Sequence, residues 1–258
     1  REVGTEGERR AATYLAEQLA TGPLEPWREL GLHDFYHDFE HPHTGQTGRN
    51  VIAVNRGTTD QWLLLVAHYD HLGVRQGKLY PGADDNAAAV AIMLEVARCF
   101  SLQSQRPERN IVFAFTSGEE QGLSGSKALA GLLKQAKLFQ RCRVINLDML
   151  GGIGGNSLDV WQERSRPSSK QLALHVRQTI QGAGLKSNVV KRRFGAVDSR
   201  SFAHAGIPSV TLSWAYQARY HPHRHQPTDT ADELQPELMQ RAAGAILRVV
   251  WTLANTGK

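Results

Sequence analysis

Five short stretches of this chain concentrate side chains that bind cations or move protons: His68-Tyr69-Asp70, Asp84-Asp85-Asn86, Glu119-Glu120, Asp148, and His225 followed by Asp229. Imidazole nitrogens and carboxylate oxygens without thiolates are a donor set for zinc, with manganese or cobalt as substitutes. Gathered at one place, these carboxylates would repel one another unless a cation neutralised them. Two histidines and three or more carboxylates exceed what one tetrahedral catalytic ion needs when it keeps a water. Two ions sharing a bridging carboxylate is therefore the economical reading. Taken singly, each stretch has an ordinary explanation: a satisfied polar histidine, a helix cap at Asp85, an exposed turn at Glu119-Glu120. The chemistry depends on their meeting, and the elements decide that.

Thr5-Glu6-Gly7-Glu8 has capping-box spacing and opens a helix with Ala11, Ala12, Leu15 and Leu19 on one face, stopped by Gly22-Pro23. Alternation over 34–41 and a second stretch over 50–55 read as strands of an antiparallel start. From Trp62, apolar runs over 63–68, 111–116 and 144–149 alternate with helical segments over 87–100 and 123–136. Such unbroken runs are strands buried on both faces by crossover helices. A strand over 158–161, a helix over 168–181, a strand near 188–192, a short helix over 199–205, a buried strand over 209–213 and a closing helix over 236–254 complete the pattern.

The expected fold class is α/β: a three-layer sandwich with a central mixed, mostly parallel β-sheet flanked by helices, with residues 1–258 as one catalytic domain. Ligands of open α/β sheets bind outside the carboxyl ends of the strands. His68, Asp85, Glu119-Glu120, Asp148 and His225 all fall at such ends or in the loops behind them.

Composition narrows the classes. A chain of 258 residues with 41% hydrophobic content suits one large core and excludes disorder. No apolar run approaches the about 18 residues that span a bilayer. The net charge of +5 is scattered, and its densest cluster, Lys191-Arg192-Arg193, reads as a solvated strand end, so no nucleic-acid partner is expected. Cys99 and Cys142 lack Cys-x-x-Cys spacing and read as buried thiols, with one disulfide an option in an oxidising compartment. Gly151-Gly152-Ile153-Gly154-Gly155 leads into an alternating strand rather than a helix, so it is no dinucleotide turn. Ser124-Gly125-Ser126 lacks a nucleophile-elbow context. An N-cap role explains Asp198 as well as a place near the site does.

In their order and spacing these motifs resemble the dinuclear zinc peptidases, a family that includes secreted bacterial leucyl aminopeptidases, plasma glutamate carboxypeptidase and, as a divergent branch, glutaminyl cyclase. The resemblance runs from Gly4-Thr5-Glu6-Gly7 and Arg49-Asn50-Val51-Ile52-Ala53 through Gly82-Ala83-Asp84-Asp85-Asn86 and Ser117-Gly118-Glu119-Glu120-Gln121-Gly122 to His225 and Asp229-Thr230. It implies two zinc ions bridged by Asp85, with His68 and Asp148 on one and Glu120 and His225 on the other. It makes Glu119 the general base and gives Asp70 the catalytic support of hydrogen-bonding and orienting His68. It also implies a cis peptide at Asp85-Asn86. Two departures stand out: Ala88-Ala89 replaces the usual Ser-Gly, and Arg224 replaces the usual Tyr before the last histidine, with Tyr220, His221 and His223 nearby. His221 and His223 are therefore rival ligands to His225, which is preferred for its interval to Asp229-Thr230.

The implied activity is hydrolysis of a terminal peptide bond, most simply by an aminopeptidase acting on peptides or small amides. Export is expected from the same resemblance; the oligomeric state is left open, with a monomer favoured. A carboxypeptidase or a one-zinc glutaminyl cyclase is the alternative on this fold. A non-catalytic binding module, like the related domain of the transferrin receptor, is disfavoured because every ligand position is filled. Asp198-Ser199 resembles a Ser-Asp-His position near the substrate pocket, yet it is left outside the expected site.

Overall fold

The computed structural model describes residues 1–152, 155–163, 168–192, 196–215 and 221–256. In chain order, α1 (Glu6–Leu19) precedes the antiparallel pair β1 (Tyr36–Glu40) and β2 (Thr47–Asn55); β3 (Trp62–His68) and a small hairpin of β4 (Gly73–Arg75) and β5 (Lys78–Tyr80) follow. Next come α2 (Ala88–Ser101), β6 (Asn110–Thr116), α3 (Ser124–Gln135) and β7 (Cys142–Leu147). The chain closes with β8 (Leu158–Glu163), α4 (Ser168–Gly182), β9 (Val189–Arg192), α5 (Ser199–His204), β10 (Ser209–Trp214) and α6 (Pro236–Asn255).

The main sheet has eight strands in the order β1-β2-β6-β3-β7-β10-β8-β9. Its centre, β6-β3-β7-β10, is parallel; β2 and β8 join it antiparallel, and β9 is parallel to β8. This is the expected α/β class, and the alternation along β3 shows why two layers of helix are needed. Leu63, Leu65 and Ala67 belong to the core under α1, α2, α4 and α6, whereas Trp62, Leu64 and Val66 belong to the core under α3, α5 and Trp27.

Topology then places the site. From β3 the chain crosses one face through α2 to β6, and from β6 it crosses the other face through α3 to β7, the strand on the far side of β3. The carboxyl ends of β6, β3 and β7 are thus neighbours although their loops leave in different directions. Among the described residues no helix is long and apolar enough to cross a membrane.

Element boundaries shift for local reasons. β1 starts at Tyr36 rather than Asp34 because the Asp34 carboxylate accepts a hydrogen bond from Tyr36 N at 2.8 Å and turns the chain. The helix expected from Ala87 starts at Ala88, behind a distorted turn in which Asp85 and Asn86 leave helical geometry and share a cis peptide bond. Asp85 therefore caps no helix, and its carboxylate faces the rim.

Candidate metal centre

The loops of the rim are tied to one another by side chains that bind backbone amides. The Asp70 carboxylate accepts from Glu119 N at 3.1 Å and Glu120 N at 3.2 Å, fastening the loop after β6 to the end of β3. Asn50 accepts from Ser117 N and donates to Gly125 O, both at 3.0 Å, and Gly125 leaves room for this: a Cβ there would stand 2.3 Å from Asn50 Oδ1. Glu8 accepts from Ser117 Oγ at 2.5 Å and Arg49 N at 3.0 Å. Asp229 accepts from Asp84 N at 2.8 Å and Asp85 N at 3.1 Å. Asn86 donates to Leu147 O at 3.0 Å and accepts from Met149 N at 3.1 Å, bracketing Asp148. With the backbone held this way, other carboxylates are left to converge.

They converge on Asp85. Its Oδ1 is 3.3 Å from His68 Nε2, and its Oδ2 is 3.3 Å from His225 Nε2, which also stands 3.0 Å from Glu120 Oε2. His68, Glu119 and Asp148 each offer a donor atom within 4.8 Å of the others, and His71, Asp85 and Glu120 form a second such group. Tetrahedral zinc, with bonds of about 2.0–2.1 Å, sets its ligand atoms about 3.3 Å apart, the spacing found on both sides of Asp85. Glu120 Oε1, His225 Nε2 and both nitrogens of His71 are buried without a hydrogen bond. Such atoms need a partner. The donor types, their spacing and these unsatisfied atoms fit divalent metal.

Electrostatics agree. Burial would raise the Asp85 carboxyl, but contacts with His225 and His68 hold it well below the usual range. Burial likewise opposes ionisation of Glu120, and His225 with His71 outweigh it, bringing its pKa to about 2. His225 is raised to about 9 by Asp85 and Glu120. Burial pushes Glu119 upward, His68 opposes this, and Asp198, Asp148 and Glu120 reinforce the rise. Contacts with His68 and His225 thus favour the charged carboxylates of the rim, a task that a bound cation performs more strongly.

The structure brings His68, Asp85, Glu119, Glu120, Asp148 and His225 to one rim. The rivals of His225 point elsewhere: His223 Nδ1 is 2.8 Å from Thr228 Oγ1, and His221 Nε2 lies 3.8 Å from Asp84 Oδ2. Arg224 does reach the rim, with Nε 3.4 Å from Asp85 Oδ2. Asp70 departs from the expected arrangement. Its side chain is 3.6 Å from His68 Nδ1, beyond hydrogen-bond range, while its backbone carbonyl lies 3.3 Å away. The two amides of Glu119 and Glu120 take the carboxylate instead.

Asp198 does not cap α5: it makes no capping hydrogen bond and accepts from Thr116 Oγ1 at 2.5 Å. Sequence reasoning also passed over His71, although a third histidine-type donor beside His68-Tyr69-Asp70 was a visible signal, and over the amide clamp of Asp229. Tyr220, Arg193, Ile153 and Gly154 lie outside the described residues.

A sequence profile of peptidase family M28 matches residues 50–250. The chain is 27% identical over 232 residues to aminopeptidase YwaD of Bacillus subtilis (strain 168), covering 83% of this chain and 47% of that protein. The structure of BSAP, a zinc aminopeptidase from Bacillus subtilis, is similar with a TM-score of 0.71 and 27% identity, over 83% of this chain and 52% of that one. This chain thus spans about half the length of both. A glutaminyl cyclase from Porphyromonas gingivalis is similar with a TM-score of 0.77 at 20% identity, over 96% of this chain and 91% of that one, a likeness of fold alone.

Proposed function

The chain belongs to peptidase family M28, and we propose that it is a zinc-dependent aminopeptidase that hydrolyses N-terminal peptide bonds with two zinc ions and Glu119 as general base. The observation that carries this reading is Asp85, whose two oxygens stand 3.3 Å from His68 and 3.3 Å from His225 respectively. In it, His68, Asp148 and Asp85 would hold one ion, and Glu120, His225 and Asp85 would hold the other. When bound, the ions supply Lewis acidity, polarising the scissile carbonyl and acidifying water.

The residues of the chain do the rest. Glu119 adjoins the ligand Glu120 and groups with His68 and Asp148; it takes the proton of the attacking water and hands it to the leaving amine. In the metal-free protein its burial and acidic neighbours raise its proton affinity. Asp70, holding the Glu119 and Glu120 amides, positions base and ligand together. The choice of aminopeptidase is supported by the names of YwaD and BSAP. The likeness to a glutaminyl cyclase keeps the one-zinc cyclase as the rival, and the presence of both His68 and Asp148 together with Asp85, Glu120 and His225 favours two ions.

The test is a panel of aminoacyl chromophores with and without chelator, with zinc counted by elemental analysis. Activity should vanish on chelation and return with zinc, and Glu119→Gln should lose about 10²–10⁴-fold in kcat with its zinc retained. A Glu119→Gln protein working near the wild-type rate sinks the base assignment. One zinc with cyclisation of N-terminal Gln replaces the whole reading.

A further inference from the structure

His71 belongs to the rim but to none of the roles above. It is fully buried, and neither ring nitrogen makes a hydrogen bond. A buried imidazole without a hydrogen bond is costly, and its surroundings explain it. The backbone fixes the residue firmly: His71 N donates to Arg1 O at 3.1 Å, while the Arg1 guanidinium donates to Tyr69 O at 2.7 Å and Gly82 O at 3.0 Å. The ring lies over Gly82, where a Cβ would come within 2.4 Å of His71 Cγ, so the glycine makes space for the imidazole.

The ring is aimed at Glu120. Nδ1 stands 2.9 Å from Glu120 Oε1, while Oε2 of the same carboxylate is 3.0 Å from His225 Nε2. The contact between Nδ1 and Oε1 is not aligned as a hydrogen bond, and Oε1 has no other partner. Two imidazoles therefore flank one carboxylate, with ring centroids 5.8 Å apart and planes at 64°. Asp85 completes the group, with its donor atom within 4.8 Å of those of His71 and Glu120. Donors facing one another across unsatisfied atoms are the arrangement a shared cation relieves.

We propose that His71 is a further ligand of the cation held by Glu120, His225 and Asp85, an inference that rests on the two-ion reading. The two sites are then unequal: the one at Glu120 has two imidazoles and the one at His68 has one. The ion at Glu120 is the more tightly held, and graded chelation empties the His68 site first.

Zinc is titrated into metal-free wild type, His71→Ala and His71→Asn in chelator-buffered solution, and visible spectra are recorded for the cobalt(II)-loaded proteins. Both variants should weaken the tighter equivalent by more than about 100-fold, beyond the about 10–100-fold typical of a residue that only orients a ligand, and should change the cobalt bands. Asparagine can still donate to Glu120, so wild-type affinity and spectrum in His71→Asn overturn the ligand role and leave His71 as a hydrogen-bonding support. The same result in His71→Ala removes any role. Thermal unfolding of the metal-free proteins reports loss of packing over Gly82 separately. If wild type takes up only one equivalent, the two-ion reading fails, and weakening or constancy of that equivalent in the variants still decides the role of His71.

Discussion

The two ends of the central strands both bury polar side chains, to opposite effect. At the amino end of β6, Arg109 is 4% exposed and donates to Leu253 O at 2.9 Å and Thr256 O at 3.2 Å. Its neighbour Asn110 donates to Thr59 O at 2.8 Å and Gln61 O at 3.2 Å, and accepts from Gly57 N at 3.1 Å. Neither residue has a buried polar atom without a partner. The pair clasps the loop before β3 and the end of α6 onto the sheet. At the carboxyl end, Glu120, His71 and His225 also lie in protein surroundings, yet each keeps an unsatisfied atom directed at the others. Polar groups paired with backbone stabilise a fold; polar groups converging on a common centre are incomplete until something joins them. The difference separates a structural polar cluster from a site within one sheet.

Substitutions at the two ends can break that contrast, and the largest effect is expected at Asp85. Asp85→Ala removes the carboxylate between His68 and His225 and should abolish both zinc uptake and turnover; unchanged zinc content by elemental analysis argues against bridging. Metal removal comes next. With free zinc at about 100 times Kd, chelation should cost about 2.7 kcal/mol of unfolding free energy, read as a lower thermal midpoint in wild type and as no shift in Asp85→Ala. An equal shift in both proteins would mean that the chelator acts elsewhere.

Asp70→Asn presents an amide group where one backbone N–H must be accepted, and it should cost about 10–100-fold in zinc affinity or activity. A wild-type value for both would show that the amide clamp is dispensable. At the opposite end, Asn110→Ala should lose about 1–3 kcal/mol of stability by denaturant titration with zinc stoichiometry and KM unchanged. Loss of zinc there would erase the distinction between the two ends.

Much of this was legible in the chain itself. The apolar runs of β3, β6 and β7 announced buried strands, because a strand covered on both faces must be apolar at every position. His68, Glu119-Glu120 and Asp148 follow those runs directly, so the switch-point rule placed them at one rim. Asp198 stayed open between a cap and a site position because Asp before a short helix is a common cap pattern, whereas its partner, the Thr116 hydroxyl, comes from a strand distant in sequence. The amide contacts of Asp70 went unforeseen for a similar reason. Alternation along an extended segment put it beside His68, but the chain leaves β3 at His68, and the carboxylate finds the amides of another loop.

By itself the sequence determined the element types, the α/β class and the donor chemistry of the rim, since periodicity and residue type are local properties. Only the tertiary structure decided which of His221, His223 and His225 approaches Asp85, that Asp229 and Asn86 pin the turn that carries Asp85, and that His71 faces Glu120. Those outcomes depend on the directions of side chains in irregular loops, which are set by hydrogen bonds between segments far apart in the chain, and no local pattern encodes them.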